Sequence, residues 1–289
     1  MSPEMAATGT DQPPPPLDVT RVTAGPLHTE TIGHGGRLVL AHGFTQTGRL
    51  WGGLDRLLAR RRQVLRVDLP GHGRSSAVRA DLPTTAAALV AVGGRAAYLG
   101  YSMGARVCLH AALDHPASVE SLVLISGTAG IEDGEERAAR RRADGVLADQ
   151  LDPPGDPDPD PDTARDGRDR LERFLDRWLA QPLFADLPEE GAGREERLTN
   201  TPEGLASSLR LAGTGTQAPL WSRLGELTMP VLLVTGADDA KFCELNRRMA
   251  AAIGPGARHV AVEGAGHSPH LVRPDLVASL VEDFLDARP

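Results

Sequence analysis

Cysteine, lysine and aromatic side chains are all scarce in this 289-residue chain, and each scarcity excludes something. The two cysteines, Cys108 and Cys243, share no motif spacing, so no disulfide framework is expected, and a reducing, cytoplasmic location is. Aromatics make up 3% of the residues, so the core must be built mainly from Leu, Val and Ala. No apolar run approaches the roughly 20 residues that cross a bilayer, and the first residues carry neither the basic start nor the apolar stretch of a secretion signal. Neither membrane insertion nor secretion is therefore expected. Lysine occurs once, as Lys241, and every other basic side chain is arginine. Acid outweighs base to a net charge of −8, which argues against non-specific nucleic-acid binding. Five aspartates of one short Pro-rich run (Asp152, Asp156, Asp158, Asp160 and Asp162) carry much of that excess, so a local basic pocket for an anionic ligand stays possible.

What is present is an alternation. The runs RLVLAHGF (37–44), QVLRVDLPG (63–71), RAAYLGYS (95–102), SLVLIS (121–126), PVLLVTG (230–236) and RHVAVEG (258–264) read as strands buried on both faces. Helical patterns separate the first four, and another lies between the last two. This predicts an α/β fold with a mostly parallel sheet flanked by helices. Between 129 and 221 the alternation breaks: GEERAARRRADGVLADQL and RDGRDRLERFLDRWLAQPLF have helical periodicity, and DPPGDPDPDPDTA between them can be neither helix nor strand. The expected plan is a disordered Pro-rich tail over 1–25, a core over 26–128 and 222–289, and a helical lid over 129–221. An Asp-Pro-rich excursion over 152–164 would interrupt that lid.

Chemistry concentrates at Gly100-Tyr101-Ser102-Met103-Gly104, which lies between a strand run and a helical run. That is the setting of a nucleophile elbow, whose glycines permit the tight turn that exposes the serine hydroxyl. On such a fold an acid and a histidine should follow late strands, in that order. VTGADDAKF offers Asp238 and Asp239, and VEGAGHSPH offers His267 and His270. His267 is preferred because a glycine precedes it and permits a sharp turn. A metal role for the two histidines is discounted, since no carboxylate or cysteine set accompanies them, and no metal or cofactor is expected. The oxyanion hole needs one N–H from the residue after the serine, Met103, and one from the loop LAHGFTQTG, where Phe44 is the expected donor. His42 in that loop reads as structural. Elbow, loop, acid and histidine together predict the α/β-hydrolase fold with an inserted lid.

The chain also resembles the 2-succinyl-6-hydroxy-2,4-cyclohexadiene-1-carboxylate (SHCHC) synthases of menaquinone biosynthesis, lyases on that fold. The resemblance runs from about 37 to 287 through GYSMGARV, EERAARRRAD, RWLAQPLF, RLTNTPEGLASSLRLAGTGTQAPLW, GADDAKF and GAGHSPH, with the lid segments the most specific. It implies a triad of Ser102, Asp239 and His267. It also implies substrate carboxylates bound by Arg106, Arg140 and Arg197, with Tyr101, Trp178 and Lys241 alongside. The reaction implied is elimination of pyruvate from a small tricarboxylate. The N-terminal tail and the Asp-Pro insertion depart from the family pattern. In a chain this rich in arginine, Arg137 and Arg141 compete with Arg140, and Arg194 with Arg197. The same core on other grounds would suit a serine hydrolase, or a non-catalytic ligand receptor.

Overall fold

The computed structural model describes residues 19–21, 27–155 and 163–287. Eight strands form one sheet: β1 (Val19–Arg21), β2 (Thr29–Ile32), β3 (Gly36–Ala41), β4 (Arg62–Val67), β5 (Ala96–Tyr101), β6 (Val119–Ile125), β7 (Val231–Gly236) and β8 (Ala257–Val262). Their order across the sheet is β1-β2-β4-β3-β5-β6-β7-β8. The pairings from β4 through β8 are parallel, whereas β2 runs antiparallel to β4 and β1 antiparallel to β2. All six expected runs are strands.

Three expectations need correction. The run at 258–264 is not buried on both faces, because β8 is the outermost strand and of its residues Val262 alone is fully buried. β2 was not anticipated, since TETI is short, has one apolar residue in four and carries no strand signature of its own. Nor is the whole of 1–25 irregular: Val19–Arg21 pair with Glu30–Ile32. The rest of that segment, and residues 156–162 of the Asp-Pro excursion, lie outside the described residues.

The first core helices are α1 (Leu54–Leu58), α2 (Leu82–Gly93) and α3 (Met103–Asp114). After β6 comes the lid: α4 (Gly134–Leu151), α5 (Thr163–Leu179), α6 (Glu189–Ala192), α7 (Arg194–Arg197) and α8 (Pro202–Ala212). The chain then returns through β7, α9 (Ala240–Ile253), β8, α10 (Pro269–Val272) and α11 (Pro274–Asp286). Strand side chains alternate faces. Leu38, Leu40, Leu99, Val123 and Leu232 therefore pack with α1 and α11, while Val39, Tyr98, Leu122, Leu124 and Leu233 pack with α2, α3 and α9. The lid has an apolar cluster of its own, built by Ala148, Leu151, Leu171, Phe174, Leu175, Leu205 and Leu209. Among the described residues no helix is long and apolar enough to cross a membrane.

The elbow glycines are where the packing is tightest. A Cβ on Gly104 would lie 1.9 Å from the Ala41 carbonyl oxygen, and one on Gly100 would lie 2.3 Å from that of Gly104. Both neighbours are backbone and cannot move aside. Gly104→Ala is therefore expected to cost about 3 kcal/mol or more of stability, at the upper end for overpacking. Urea unfolding would read this as a lower midpoint, and an unchanged midpoint would contradict the close approach of α3 to β3.

Candidate active site

Each group of the site leaves the carboxyl end of a strand, where the crevice of a parallel sheet opens. Ser102 follows β5 and is held at φ 50° and ψ −105°, a conformation that costs a non-glycine residue on the order of 1–3 kcal/mol. Its N–H donates to the Ile125 carbonyl (2.8 Å), and its carbonyl accepts from the Arg106 N–H (3.2 Å), so β6 and α3 together fix the turn. His267 follows β8, and its Nε2 lies 3.2 Å from Ser102 Oγ while Nδ1 lies 2.8 Å from Asp239 Oδ2. A carboxylate can only accept, so the ring proton sits on Nδ1 and Nε2 is free to receive the serine proton. Asp239 follows β7 and has two tasks: its Oδ1 accepts from the Phe242 N–H (3.1 Å) and so caps α9. Asp238 is exposed.

The other histidines are excluded by their surroundings. His270 is buried between Tyr101 and Trp51, and burial pushes its pKa down to about 3. His42 accepts from the Leu69 N–H through Nε2 (3.0 Å) and donates to the Gly43 carbonyl through Nδ1 (2.8 Å). Burial lowers its pKa to about 4, so it is a neutral brace for the loop after β3. Among the described residues the amides of Phe44 and Met103 donate to no other group, which leaves both available to a ligand oxygen.

Ser102, Met103, Phe44 and His267 border a cavity of about 460 Å3. Tyr101, Arg106, Arg140, Trp178, Arg197 and Lys241 border the same cavity. Tyr101 donates to or accepts from Ser268 Oγ at 2.6 Å, and burial pushes its pKa up to about 12. Trp178 stands edge-on to Phe44 (5.1 Å) and stacks on Phe174 (5.9 Å), forming an aromatic wall carried by the lid.

The arginines differ in kind. Arg106 is 6% exposed and donates through Nη1 to the Ala212 carbonyl (2.9 Å), at the end of α8. Arg197 is 2% exposed and donates to the Ala192 carbonyl (2.7 Å) and to Thr45 Oγ1. Neither forms a salt bridge with a carboxylate among the described residues, although buried Asp144, paired to Arg140, acts on Arg106 at longer range. Burial pushes the pKa of each down to about 10, a penalty on the order of 3 kcal/mol per guanidinium in the free protein. Arg140 is instead 42% exposed and donates through Nε to Asp144 Oδ1 (2.7 Å). The rivals are engaged elsewhere: Arg137 holds the Ile131 and Glu132 carbonyls, Arg194 pairs with exposed Asp176, and Arg141 does not border the cavity.

Several neighbours were not foreseen. Asp144, buried beside Arg140, also accepts from the Gly215 N–H (3.2 Å), and its i,i+4 spacing from Arg140 was a legible signal. Phe242 packs edge-on against His267 (4.4 Å). Asp186, from the lid, accepts from the Gly266 N–H (2.6 Å) immediately before His267. The Arg248 guanidinium lies 4.4 Å over Trp221 and pairs with Glu132 (2.8 Å) at the cavity edge. Nothing in the spacing of these last three pointed to the site.

Comparison with known proteins identifies the family and the fold. The model of the alpha/beta hydrolase family matches residues 38–280. A Bacillus subtilis protein named provisionally as a 2-succinyl-6-hydroxy-2,4-cyclohexadiene-1-carboxylate synthase is 34% identical over 90% of this chain and 92% of its own length. A pimeloyl-[acyl-carrier protein] methyl ester esterase of Xanthomonas campestris is 33% identical over 91% of this chain and 100% of its own. The solved structure of MenH from S. aureus superposes with a TM-score of 0.78 at 27% identity, covering 90% of this chain and 98% of that one.

Proposed function

The chain belongs to the alpha/beta hydrolase family, and we propose that within it this enzyme is a carbon–oxygen lyase rather than a hydrolase. Its substrate would be 2-succinyl-5-enolpyruvyl-6-hydroxy-3-cyclohexene-1-carboxylate, from which it eliminates pyruvate to give SHCHC. The observation that carries this reading is the pair Arg106 and Arg197, two buried guanidiniums that border one cavity with no salt bridge to a carboxylate among the described residues. A buried charge without a partner is costly, and a polyanionic ligand supplies the missing partner on binding. Guanidiniums grip carboxylates bidentately, and Arg140 and Lys241 bring further positive charge to the same cavity. A neutral ester has no use for such a set.

On this reading Ser102 acts as a base. Its hydroxyl, relieved of its proton by His267, removes the proton α to the succinyl ketone, and Asp239 holds the imidazole in the required tautomer and supports its charge. The enolate oxygen is received by the Phe44 and Met103 amides, each worth about 3–4 kcal/mol in comparable sites. Collapse of the enolate expels enolpyruvate, whose oxygen takes its proton from the imidazolium, and the ring is left as the diene.

A second reading is favoured by the methyl ester esterase relative: the same groups would make Ser102 a nucleophile toward an ester. Pyruvate release from the enolpyruvyl tricarboxylate, measured beside hydrolysis of a neutral chromogenic ester, separates the two. Fast pyruvate release with feeble esterase activity is expected. Strong esterase activity with no pyruvate beyond the spontaneous rate would reverse the assignment.

A further inference from the structure

We propose that Asn200, in the lid, is a positioning residue for the oxyanion-binding amide of Phe44. The lid then helps to build the catalytic apparatus as well as covering it. This rests on the Phe44 amide receiving the developing oxyanion, as above, but not on the choice of lyase over hydrolase, since either chemistry uses that amide.

Phe44 and Thr45 are the two central residues of a turn closed by the Gln46 N–H donating to the Gly43 carbonyl (3.2 Å). The second central residue, Thr45, has φ 66°. A positive φ there belongs to a turn type that prefers glycine or asparagine, and a β-branched residue is strained in it. Such a turn would relax unless its surroundings held it, and relaxation would carry the neighbouring Phe44 N–H off its aim.

What holds it comes chiefly from the lid. Asn200 is 5% exposed and its Nδ2 donates to the Thr45 carbonyl (2.8 Å) and to the Arg197 carbonyl (2.9 Å). Its Oδ1 accepts from the Gly73 N–H (2.8 Å), on the loop after β4. One side-chain amide thus ties three segments together, with the strained residue at one end. The second restraint on Thr45 is Arg197, which donates to its hydroxyl. Arg197 faces the cavity, so the guanidinium offered to a substrate carboxylate also grips the residue next to the oxyanion donor. Binding energy from a remote carboxylate is thereby directed to the reacting centre, which raises turnover rather than affinity.

The test is steady-state kinetics of Asn200→Ala and Asn200→Asp, with pyruvate release and neutral-ester hydrolysis measured in parallel. Asn200→Asp keeps the acceptor for Gly73 but gives up the donor to Thr45, and being nearly isosteric it serves should the alanine variant fail to fold. Both variants are expected to lose about 10–100-fold in kcat with KM changed less than about threefold, less than the roughly 10²–10³-fold seen when an oxyanion donor is removed outright, because the Phe44 amide is misaimed and not lost. A boronic acid that forms a tetrahedral adduct on Ser102 should lose affinity by the same factor, while succinate, which makes no oxyanion, should inhibit as before. Unchanged kcat in either variant, or kcat and KM moving together with a lowered Tm, would overturn the proposal in favour of a purely structural asparagine. If the wild type releases no pyruvate but its esterase activity and boronate affinity show the expected dependence, the lyase reading fails and the role of Asn200 stands. If the wild type turns over neither substrate, boronate affinity decides the matter alone.

Discussion

Ser102→Ala should release pyruvate about 10²–10⁴-fold more slowly than the wild type, the range spanned by a well-placed general base. The affinity for the tricarboxylate should hardly change. The hydroxyl is the group His267 Nε2 faces at 3.2 Å, and His267 is in turn held by Asp239 at 2.8 Å, so its removal disconnects a relay whose other members stay in place. The arginines proposed to grip the substrate hang from α3, α4 and α7 and do not depend on that hydroxyl. Single-turnover pyruvate release, with substrate binding measured separately by calorimetry, gives the two quantities. Retention of more than about a tenth of the wild-type rate would move the role of base from Ser102 to His267 or to a water. Mass spectrometry during turnover adds an independent check: an acyl-serine on Ser102 would make it a nucleophile and return the protein to ester chemistry.

Arg106→Met should give a protein that is more stable and nearly inactive. The guanidinium is buried with no salt bridge to a carboxylate among the described residues, and burial lowers its pKa to about 10 from an ordinary 12.5, so the folded state holds its proton less firmly than the unfolded chain does. The sign follows: below about pH 10 the charged group destabilises the fold, and the penalty is relieved as pH rises through that range toward 12.5. A methionine of similar length removes the penalty, at the cost of the hydrogen bond to the Ala212 carbonyl, for a net gain of about 1–2 kcal/mol. Leaving a substrate carboxylate without its partner should lower kcat/KM by about 10²–10³-fold. Thermal unfolding with and without a tricarboxylate ligand reads stability and binding, and initial rates read kcat/KM: the variant should have the higher Tm alone and gain less from the ligand. A lower Tm with activity retained would make Arg106 a fastener between α3 and α8.

The legible part of this molecule was the part governed by local patterns. Buried strands announce themselves as apolar runs, and the residues that follow them inherit the crevice at their carboxyl ends, which is why Ser102, His267 and the pair Asp238 and Asp239 are legible in the sequence. The choice of Asp239 over Asp238 and of Arg140 and Arg197 over their neighbours rested on resemblance, because Arg137 and Arg140, like Arg194 and Arg197, are three apart and share nearly one helix face, and the turn that aims Asp238 or Asp239 has no periodicity to read. β2 was invisible because TETI acquires its burial from β4 and from no pattern of its own. Asn200, Asp186 and Arg248 were invisible for another reason. Each acts across more than 75 residues of sequence through a contact that exists once the lid has docked.

Asp239 joins two fates in one side chain. Because one carboxylate both begins α9 and steadies His267, the count of residues from β7 to Phe242 is locked. A single inserted residue ahead of the helix would either shift its cap or swing the carboxylate about 100° around the axis, the turn each helical residue makes. Positions of GADDAKF other than Asp239 and Lys241 can therefore change more readily than its length.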